Sequence, residues 1–267
     1  ITQLPFGVSP YFVKNAKGAY FWDIDDNKYL DFSNALASVT LGYCDPDVDY
    51  AVKKQIENGV TFSLPHTLEV SVAKILIELI PCAEQVRFAK NGTDATSGAI
   101  RVARAFTAKD RIAVCGYHGW QDWYIGSTSK NLGVPEAVQK LTHSFKFNDI
   151  NSLNTIIKKY PEEFAAIIIE PMSGEYPKNN FLEQVREISS KSKALLIFDE
   201  TVTGFRVSKG GAQELFGVTP DLATFGKGLA NGYPLSALVG KKKYMEVMKD
   251  IFFSGTFGGE SLSLAAA

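Results

Sequence analysis

The sequence contains few cysteines and no excess of charge of either sign, and each shortage argues against a class of protein. Its three cysteines, Cys44, Cys82 and Cys115, are widely spaced and form no CxxC pair, so neither a disulfide framework nor a zinc site is indicated. The 28 basic and 29 acidic residues nearly cancel, and no stretch concentrates lysine or arginine as a nucleic-acid-binding surface does. We therefore expect a reducing, cytoplasmic location, no bound metal and no nucleic-acid partner.

Long hydrophobic runs are also missing. No segment reaches the length of a membrane span, and the N-terminus lacks the charged-then-apolar order of a signal peptide, so we expect no membrane association. The 267 residues, 45% of them hydrophobic, are enough for one sizeable domain or two small ones with a full core. Because the chain starts at Ile1 and stops inside the apolar residues 262–267, we expect it to be a fragment of a longer protein.

The motifs of several common enzyme classes are absent. The sequence has no GxSxG nucleophile elbow, no GxxxxGK[ST] phosphate loop and no HExxH zinc motif, and its only histidines are His66, His118 and His143. The glycines around Lys227 do not have GxGxxG spacing, which argues against a dinucleotide-binding fingerprint. Serine hydrolases of the elbow type, P-loop enzymes, zinc peptidases and dinucleotide-dependent enzymes are therefore disfavoured.

The first part of the chain predicts a hairpin followed by a helix. Two strand-like segments, residues 20–24 and 28–32, flank the turn-forming residues 25–27, which is the pattern of a β-hairpin. Apolar residues at helical spacing predict a helix over residues 68–79, and Pro81 follows as a stop signal. The hairpin therefore precedes the main fold, and this helix connects the two.

After this helix, short apolar runs alternate with helical patterns. Such alternation predicts a mostly parallel α/β sheet with flanking helices. Residues 124–147 are polar and weakly periodic, and we assign them no element. We divide the chain into an N-terminal segment with the hairpin, residues 1–65, and a large domain, residues 66–267. The predicted strands of that domain are residues 86–89, 112–115, 165–169, 194–198, 222–225 and 235–239.

Two residues that follow predicted strands indicate a cofactor. Lys227 stands between two glycines after the apolar residues 222–225, so its amine is unshielded and can act as a nucleophile. Asp199 directly follows residues 194–198, which predicts a carboxylate at the carboxyl edge of the sheet. Pyridoxal 5'-phosphate (PLP) needs an amine for a Schiff base and an anion that keeps its ring nitrogen protonated. Taken singly, a solvated surface lysine and a turn-capping aspartate are the commoner interpretations.

Loops after other predicted strands fit the same cofactor. Gly92 and Thr93 start a helix and are typical of a phosphate-binding turn, although ordinary helix capping explains them as well. Tyr117 is placed either to stack on a pyridine ring or to cover the edge of the core. Glu170 lies either near the site or paired with a structural arginine. The loop that contains Thr256 between glycines is able to wrap an oxyanion.

Six motifs occur in a fixed order along the chain: Asn91-Gly92-Thr93-Asp94-Ala95, Tyr117-His118-Gly119, Ile169-Glu170-Pro171, Asp199-Glu200-Thr201-Val202-Thr203-Gly204-Phe205-Arg206, Phe225-Gly226-Lys227 and Gly255-Thr256-Phe257. In this order they resemble the motifs of class III aminotransferases, PLP enzymes of fold type I, and most of all the glutamate-1-semialdehyde aminomutase branch. The resemblance extends from about Pro5 onward. It implies a mostly parallel central sheet with flanking helices, an N-terminal hairpin segment, and a small C-terminal domain beyond Ala267.

The resemblance also implies a role for each site residue. Lys227 would form the Schiff base with PLP and move the proton at the substrate α-carbon. Asp199 would hold the protonated ring nitrogen. Gly92 and Thr93 match the phosphate-binding turn of the family, and Tyr117 matches its ring-stacking aromatic residue.

Other positions match the family less closely or act elsewhere. Thr256 matches a threonine that reaches the phosphate of the neighbouring subunit, which implies a homodimer. Thr201 stands where the family has a ring-contacting valine and Val202 where it often has glutamine, so both are cofactor-binding positions with altered residues. A threonine methyl group can still pack on the ring. Asn91 replaces the serine of the phosphate turn and keeps a polar group there, and Glu170 joins the catalytic residues.

Glu175 bears on the choice of reaction. It matches the glutamate that gates a substrate-binding arginine in many class III aminotransferases, whereas the aminomutases usually have another residue there. We therefore favour transfer of an amino group from a small-molecule amino donor to an oxo acceptor. Two alternatives remain. One is glutamate-1-semialdehyde 2,1-aminomutase activity, which moves nitrogen within one substrate, and the other is a non-catalytic binding protein built on the PLP-enzyme fold.

Overall fold

Two β-sheets organise the chain, and the computed structural model describes residues 10–267. The expectations about the start of the chain, and the first part of the predicted N-terminal segment, fall on residues 1–9 and lie outside the described residues. The strands are β1 Val13–Lys17, β2 Tyr20–Asp23, β3 Lys28–Leu30, β4 Gln85–Ala89, β5 Arg111–Cys115, β6 Thr142–Ser144, β7 Phe164–Ile169, β8 Leu195–Asp199, β9 Leu222–Phe225 and β10 Ser236–Gly240. Three form a small sheet, β1-β2-β3, and seven form the large one, β4-β10-β9-β8-β7-β5-β6.

Helices lie between most of the strands of the large sheet. The short segment α1 is a left-handed turn, whereas the longer segments are right-handed helices. Within residues 10–267, every helix is too short or too polar to cross a bilayer. The helical segments are α1 Asn34–Ala37, α2 Pro46–Ile56, α3 Thr67–Leu79, α4 Gly92–Thr107, α5 Asp122–Ile125, α6 Glu136–Gln139, α7 Ile150–Lys159, α8 Phe181–Lys191, α9 Gly211–Phe216, α10 Lys242–Met245 and α11 Ser261–Ala266.

The core lies on both faces of the large sheet. Every residue of β7, β8, β9 and β10 is buried, which explains why these strands appear in the sequence as continuous apolar runs and not as alternating patterns. One face packs against α4 and α10, and the other packs against α3, α7 and α8. A fully buried side chain such as Phe198 or Ile167 contributes about 1.5–3 kcal/mol relative to exposure, so the burial of these strands contributes strongly to the stability of the fold.

The prediction of a mostly parallel α/β sheet is confirmed. All six predicted strands are present, and their ends differ from the prediction by no more than one residue. Only β10 is antiparallel, and it pairs with both β4 and β9. The hairpin is part of a three-stranded sheet, because β1 adds to it. The unassigned residues 124–147 contain β6, which adds an edge strand of three residues next to β5.

The parallel strands β5, β7, β8 and β9 end at the same edge of the sheet. In open α/β sheets this carboxyl edge is where ligands bind, because the loops and helix N-termini converge there. Tyr117, Glu170, Asp199 and Lys227 all lie at or just after these strand ends. The fold therefore gathers residues from four separate stretches of sequence at one edge.

Candidate active site

Asp199 is the last residue of β8, and its side chain is buried, with 4% exposed. Its Oδ1 atom accepts hydrogen bonds from the Thr201 backbone N (3.1 Å) and the Thr201 hydroxyl (2.6 Å). The Thr224 hydroxyl donates to the same oxygen at 3.1 Å. The other oxygen, Oδ2, is 2.9 Å from Nδ1 of His118. Four contacts therefore hold this carboxylate in one orientation.

Burial and hydrogen bonding act on this carboxyl group in opposite directions. Burial raises the pKa of Asp199, whereas the hydrogen bond and charge of His118, and then the bonds from Thr201, lower it. The net result is a pKa below the usual value for aspartate. Asp199 is thus a buried, ionised carboxylate, and a cationic ring nitrogen requires such an anion as its partner.

His118 is a site residue that the sequence analysis missed. Its ring is buried against Trp123 and Tyr124, and within the described residues Nε2 has no hydrogen-bond partner. Because an ionised carboxylate only accepts, Nδ1 carries the hydrogen in the bond to Asp199. The available signal was a histidine in a loop directly after a buried strand. Thr224 was missed too, although it is the one polar residue in the apolar run of β9.

Lys227 directly follows Gly226 after β9, the strand that pairs in parallel with β8 and places Thr224 opposite Asp199. It begins the 3-10 turn Lys227–Ala230 with a φ of 45°, in the left-handed region. Its side chain is half-buried, and within residues 10–267 no carboxylate forms an ion pair with Nζ. The amine is therefore unpaired, as a nucleophilic lysine has to be.

Gly92 and Thr93 are the first residues of α4. Their backbone N–H groups have no hydrogen-bond partner in the described part of the chain, so they are available to an anion at this helix N-terminus. The Thr93 hydroxyl is buried and accepts from the Trp120 backbone N at 3.4 Å. A Cβ atom on Gly92 would lie 2.9 Å from Cγ2 of Thr201, so this turn directly adjoins the Asp199 loop.

Glu170 and Tyr117 connect the loops after β7 and β5. Oε2 of Glu170 accepts from the Tyr117 backbone N at 2.9 Å and from the Ser173 hydroxyl at 3.3 Å. Among residues 10–267 Glu170 has no arginine partner. The Tyr117 ring is 61% exposed and packs edge-on against Tyr124. One ring face is therefore accessible at this edge.

The remaining predicted site residues lie further out. Val202 is half-buried next to Thr201. Thr256 is exposed and lines a cavity of about 950 Å³ between α3 and α4, whose lining includes neither Asp199 nor Lys227. Glu175 is on an exposed loop and pairs with Lys178 at 2.5 Å, and this hydrogen bond lowers the pKa of Glu175. The pairing of Glu175 with Lys178 was not predicted from the sequence.

Comparison with known proteins defines the class to which this fold and site belong. The sequence model of the family described as aminotransferase class-III matches residues 5–267. The chain belongs to the class-III aminotransferase family. The resemblance noted in the sequence is therefore confirmed over nearly the whole chain.

Individual members of this family are similar to the chain over almost its full length. It is 45% identical over 269 residues to a 3-aminobutyryl-CoA aminotransferase from Cloacimonas acidaminovorans, covering 98% of this chain and 64% of that protein. It is 42% identical over 276 residues to a glutamate-1-semialdehyde 2,1-aminomutase from Francisella tularensis, covering 96% and 64%. The PLP-containing FumI protein from Sphingopyxis sp. MTA144 superposes with a TM-score of 0.92 at 32% identity, covering 98% and 64%. The chain spans about 64% of the length of these proteins.

The residues at the carboxyl edge fit the cofactor of this family, PLP. The ionised Asp199 has the charge that a protonated ring nitrogen needs, and Lys227 offers an unpaired amine. The N–H groups of Gly92 and Thr93 suit a phosphate at the start of α4.

Proposed function

We propose that this chain is the larger part of a PLP-dependent aminotransferase, which moves an amino group from a small-molecule donor to an oxo acceptor. One observation carries the proposal. A buried, ionised Asp199 ends one strand, and Lys227, whose amine forms no ion pair, follows the neighbouring parallel strand. Family membership and the similarity to a 3-aminobutyryl-CoA aminotransferase support the same conclusion.

Each residue of the cluster has a chemical task in this reaction. When bound, PLP supplies an electron sink for the negative charge that develops at the substrate α-carbon. Lys227 would hold the cofactor through Nζ and then move the proton at that carbon. Asp199 would keep the proton on the ring nitrogen, Gly92 and Thr93 would donate N–H groups to the phosphate, and Tyr117 would pack against one face of the ring.

Residues around this centre would orient it. Glu170 fixes the backbone at Tyr117 through its 2.9 Å bond and would so position the ring-stacking residue of the catalytic set. Thr201 and Val202 follow Asp199 and would contact the ring. Glu175 would gate the substrate pocket, because a carboxylate that can turn away lets one pocket accept substrates of different charge. The bond to Lys178 would hold the Glu175 carboxylate when it is turned away from the pocket.

We further propose a cytoplasmic homodimer with an N-terminal segment at residues 1–65 and a PLP-binding domain at residues 66–267. Thr256 supports the dimer, because it lies on an exposed loop away from Asp199 and Lys227 of its own chain. A position of this kind suits a residue that donates to the phosphate of the partner subunit. The odd, unpaired set of cysteines supports a reducing compartment.

Borohydride reduction of the full-length protein loaded with PLP, followed by peptide mapping, tests the central assignment. We expect the label on Lys227 alone, because its amine is unpaired and it follows β9, the strand that pairs with the strand of Asp199. Lys227→Arg is the control, since it keeps the charge and removes the nucleophile. Label on another lysine, or none, would show that the assignment is wrong.

A panel of amino donors separates the candidate reactions. Spectral conversion of the bound cofactor by an ordinary donor, with release of one equivalent of its oxo product and recovery on adding a 2-oxo acid, supports aminotransfer. The similarity to the Francisella aminomutase makes glutamate-1-semialdehyde the critical control substrate. Rapid conversion of that substrate with poor response to every external donor would establish the aminomutase instead. Retention of PLP with no turnover of any substrate would leave the non-catalytic binding protein.

Thr256→Ala tests the homodimer. We expect cofactor affinity to fall by about tenfold or more, since a hydrogen bond to a charged group is worth about 1.5–3 kcal/mol, while the melting temperature of the apoprotein stays the same. Ser254→Ala on the same exposed loop is the matched control. Mixed dimers of Thr256→Ala and Lys227→Arg subunits should show the defect in the site opposite the altered threonine. A defect confined to the threonine's own subunit would exclude the cross-subunit contact.

A further inference from the structure

Thr201 uses both ends of its side chain at the centre of the site. Its hydroxyl is 2.6 Å from Oδ1 of Asp199, and its backbone N bonds to the same oxygen. Its methyl carbon Cγ2 would lie 2.9 Å from a Cβ on Gly92 and 3.3 Å from a Cβ on Gly226. The methyl group therefore fills the space that the two glycines leave between the phosphate turn and the residue before Lys227.

This packing fixes the direction of the hydroxyl. A threonine side chain has two heavy groups on Cβ and few accessible χ1 rotamers, so placing the methyl group between the glycines places the hydroxyl as well. A valine at this position would fill the same space without a donor. In this chain the hydroxyl adds a short hydrogen bond to Asp199 that a valine does not supply.

The two oxygens of the Asp199 carboxylate accept different numbers of hydrogen bonds. Oδ1 accepts three, from the Thr201 backbone N, the Thr201 hydroxyl and the Thr224 hydroxyl, whereas Oδ2 has only His118. A carboxylate offers about four lone-pair positions, two on each oxygen. Three donors therefore crowd Oδ1, whereas Oδ2 retains one free position.

We propose that Thr201 is a positioning residue whose hydroxyl, through its 2.6 Å bond, helps to hold Oδ1 of Asp199 and thereby leaves Oδ2, beside His118, for the ring nitrogen of the cofactor. This inference rests on the proposed function, because it concerns the ligand of the same site. The Thr201 hydroxyl thereby has a role in cofactor binding that its place in the sequence alone did not imply. The carboxylate stays ionised at a lower pH than it would with valine.

The charged groups at this edge come from several elements. His118 and Tyr124 follow β5, Glu170 follows β7 and Lys227 follows β9. Burial first, then the charge of Glu170, raise the pKa of Tyr124 to about 12, so this tyrosine stays neutral beside the histidine. Glu200 is the next residue after Asp199, but its carboxylate bonds to the start of α9. His118 is therefore the partner of Asp199 that can carry a charge, and the Thr201 hydroxyl adds to its effect.

The test measures the pH midpoint at which the full-length holoprotein releases PLP and compares this midpoint between wild type and variants. Released PLP is separated by ultrafiltration and measured by the absorbance of the filtrate. Protonation of Asp199 weakens PLP retention, because a neutral carboxyl group no longer holds the ring cation and only the bond at Lys227 and the phosphate contacts remain. For Thr201→Val we expect the midpoint to rise by about one pH unit, a tenfold change in the ionisation constant. Thr201→Ser restores the hydroxyl and should return the midpoint toward wild type.

Thr203→Val is the matched control, because it removes a buried threonine hydroxyl that bonds to Glu200 and not to Asp199. It should lower the melting temperature and leave the release midpoint unchanged. An unchanged midpoint in Thr201→Val, or an equal rise in Thr203→Val, would overturn the inference.

A measurement on the apoprotein separates this inference from the proposed function. The buried Nδ1–H of His118 is protected from solvent and should give a far-downfield proton resonance, assigned by its loss in His118→Ala. Its shift with pH reports the ionisation of Asp199 without any cofactor. The midpoint should again be higher in Thr201→Val. If the protein binds no PLP, the proposed function fails, and an equal midpoint in wild type and Thr201→Val apoprotein would overturn the role of Thr201 separately.

Discussion

Asp199 and Glu200 are consecutive carboxylates with 4% and 0% of their surface exposed, and yet their environments differ in kind. The pKa of Asp199 is lowered, whereas burial raises the pKa of Glu200 above its usual value. Burial alone would raise both. The difference therefore comes from the partners of each carboxylate and not from its depth in the protein.

The partners of Glu200 are all neutral. Its oxygens accept from the Thr203 hydroxyl, the Ala212 backbone N and the backbone and side chain of Gln213. No lysine, arginine or histidine pairs with it within the described residues. Neutral donors do not offset the cost of burying the charge, whereas the imidazole beside Asp199 does.

The two carboxylates therefore bind to different parts of the molecule, although they are adjacent in sequence. Asp199 is directed to His118 in the loop that follows β5 and to Thr224 in β9, where the candidate cofactor site lies. Glu200 is directed to the first turn of α9, which it anchors to the sheet. A buried carboxylate is thus informative about function only when the groups around it are known. Substitutions at and around the two positions should separate these roles.

The largest effect is expected from Asp199→Asn. An amide cannot hold the charge of the ring nitrogen, so turnover of the full-length enzyme should fall by roughly 10²–10³-fold, the size typical of losing a preorganised electrostatic contact. The fold should persist, because asparagine has nearly the same shape and keeps an oxygen for the two threonine hydroxyls. Steady-state kinetics with circular dichroism as the folding control measure this. Near wild-type turnover with PLP bound would contradict the role of Asp199.

A smaller effect is expected from His118→Ala. Loss of a charge-assisted hydrogen bond to a buried carboxylate is worth about 1.5–3 kcal/mol, so cofactor affinity should fall by about 10–100-fold. His118→Asn is the matched variant, since its amide nitrogen can take the place of Nδ1 and should restore most of the affinity. Equilibrium titration of the apoprotein with PLP gives the values. Equal affinity in His118→Ala and wild type would show that Thr201 and Thr224 hold Asp199 without help.

The smallest effect on the cofactor is expected from Glu200→Gln. It should leave PLP affinity unchanged and lower the free energy of unfolding by about 1–3 kcal/mol, because the amide NH₂ faces backbone donors at the start of α9. Glu187→Gln is the control, as Glu187 is exposed and bonds to Lys191. Denaturant unfolding measures the free energy of unfolding of each variant, and a parallel titration measures its PLP affinity. Loss of PLP affinity in Glu200→Gln alone would contradict the separation of the two carboxylates.

The pH dependence of that stability difference follows from the sign of the pKa shift. Because the folded-state pKa of Glu200 is raised, its contribution to stability is complete below the unfolded pKa and is lost as pH rises through the folded pKa. The gap between wild type and Glu200→Gln should therefore narrow with rising pH. Asp199, with its lowered pKa, has the opposite sign, and its contribution is lost as pH falls. A gap that is constant with pH would contradict the raised pKa.

Much of this arrangement could be predicted from the sequence, because the strands are short apolar runs bounded by glycine and polar residues. The ends of β8 and β9 therefore fixed where Asp199 and Lys227 would lie. Elements with weaker patterns were not found. The strand β6 is three residues long within a polar stretch, and α2 mixes charged and apolar residues. Local pattern was insufficient there because contacts with neighbouring elements stabilise these segments.

The sequence by itself determined the alternation of strands and helices, and with it the edge where a lysine, an aspartate and a glycine turn would meet. Only the tertiary structure decided how those residues act on one another. His118 and Asp199 are 81 positions apart, and Thr201 occupies the space between Gly92 and Gly226. Periodicity reports which face of a strand or helix a residue occupies, but distances across the sheet depend on how the whole chain packs. Because hydrogen bonds and burial set the pKa of each carboxylate, only the packed structure could give Asp199 and Glu200 opposite shifts.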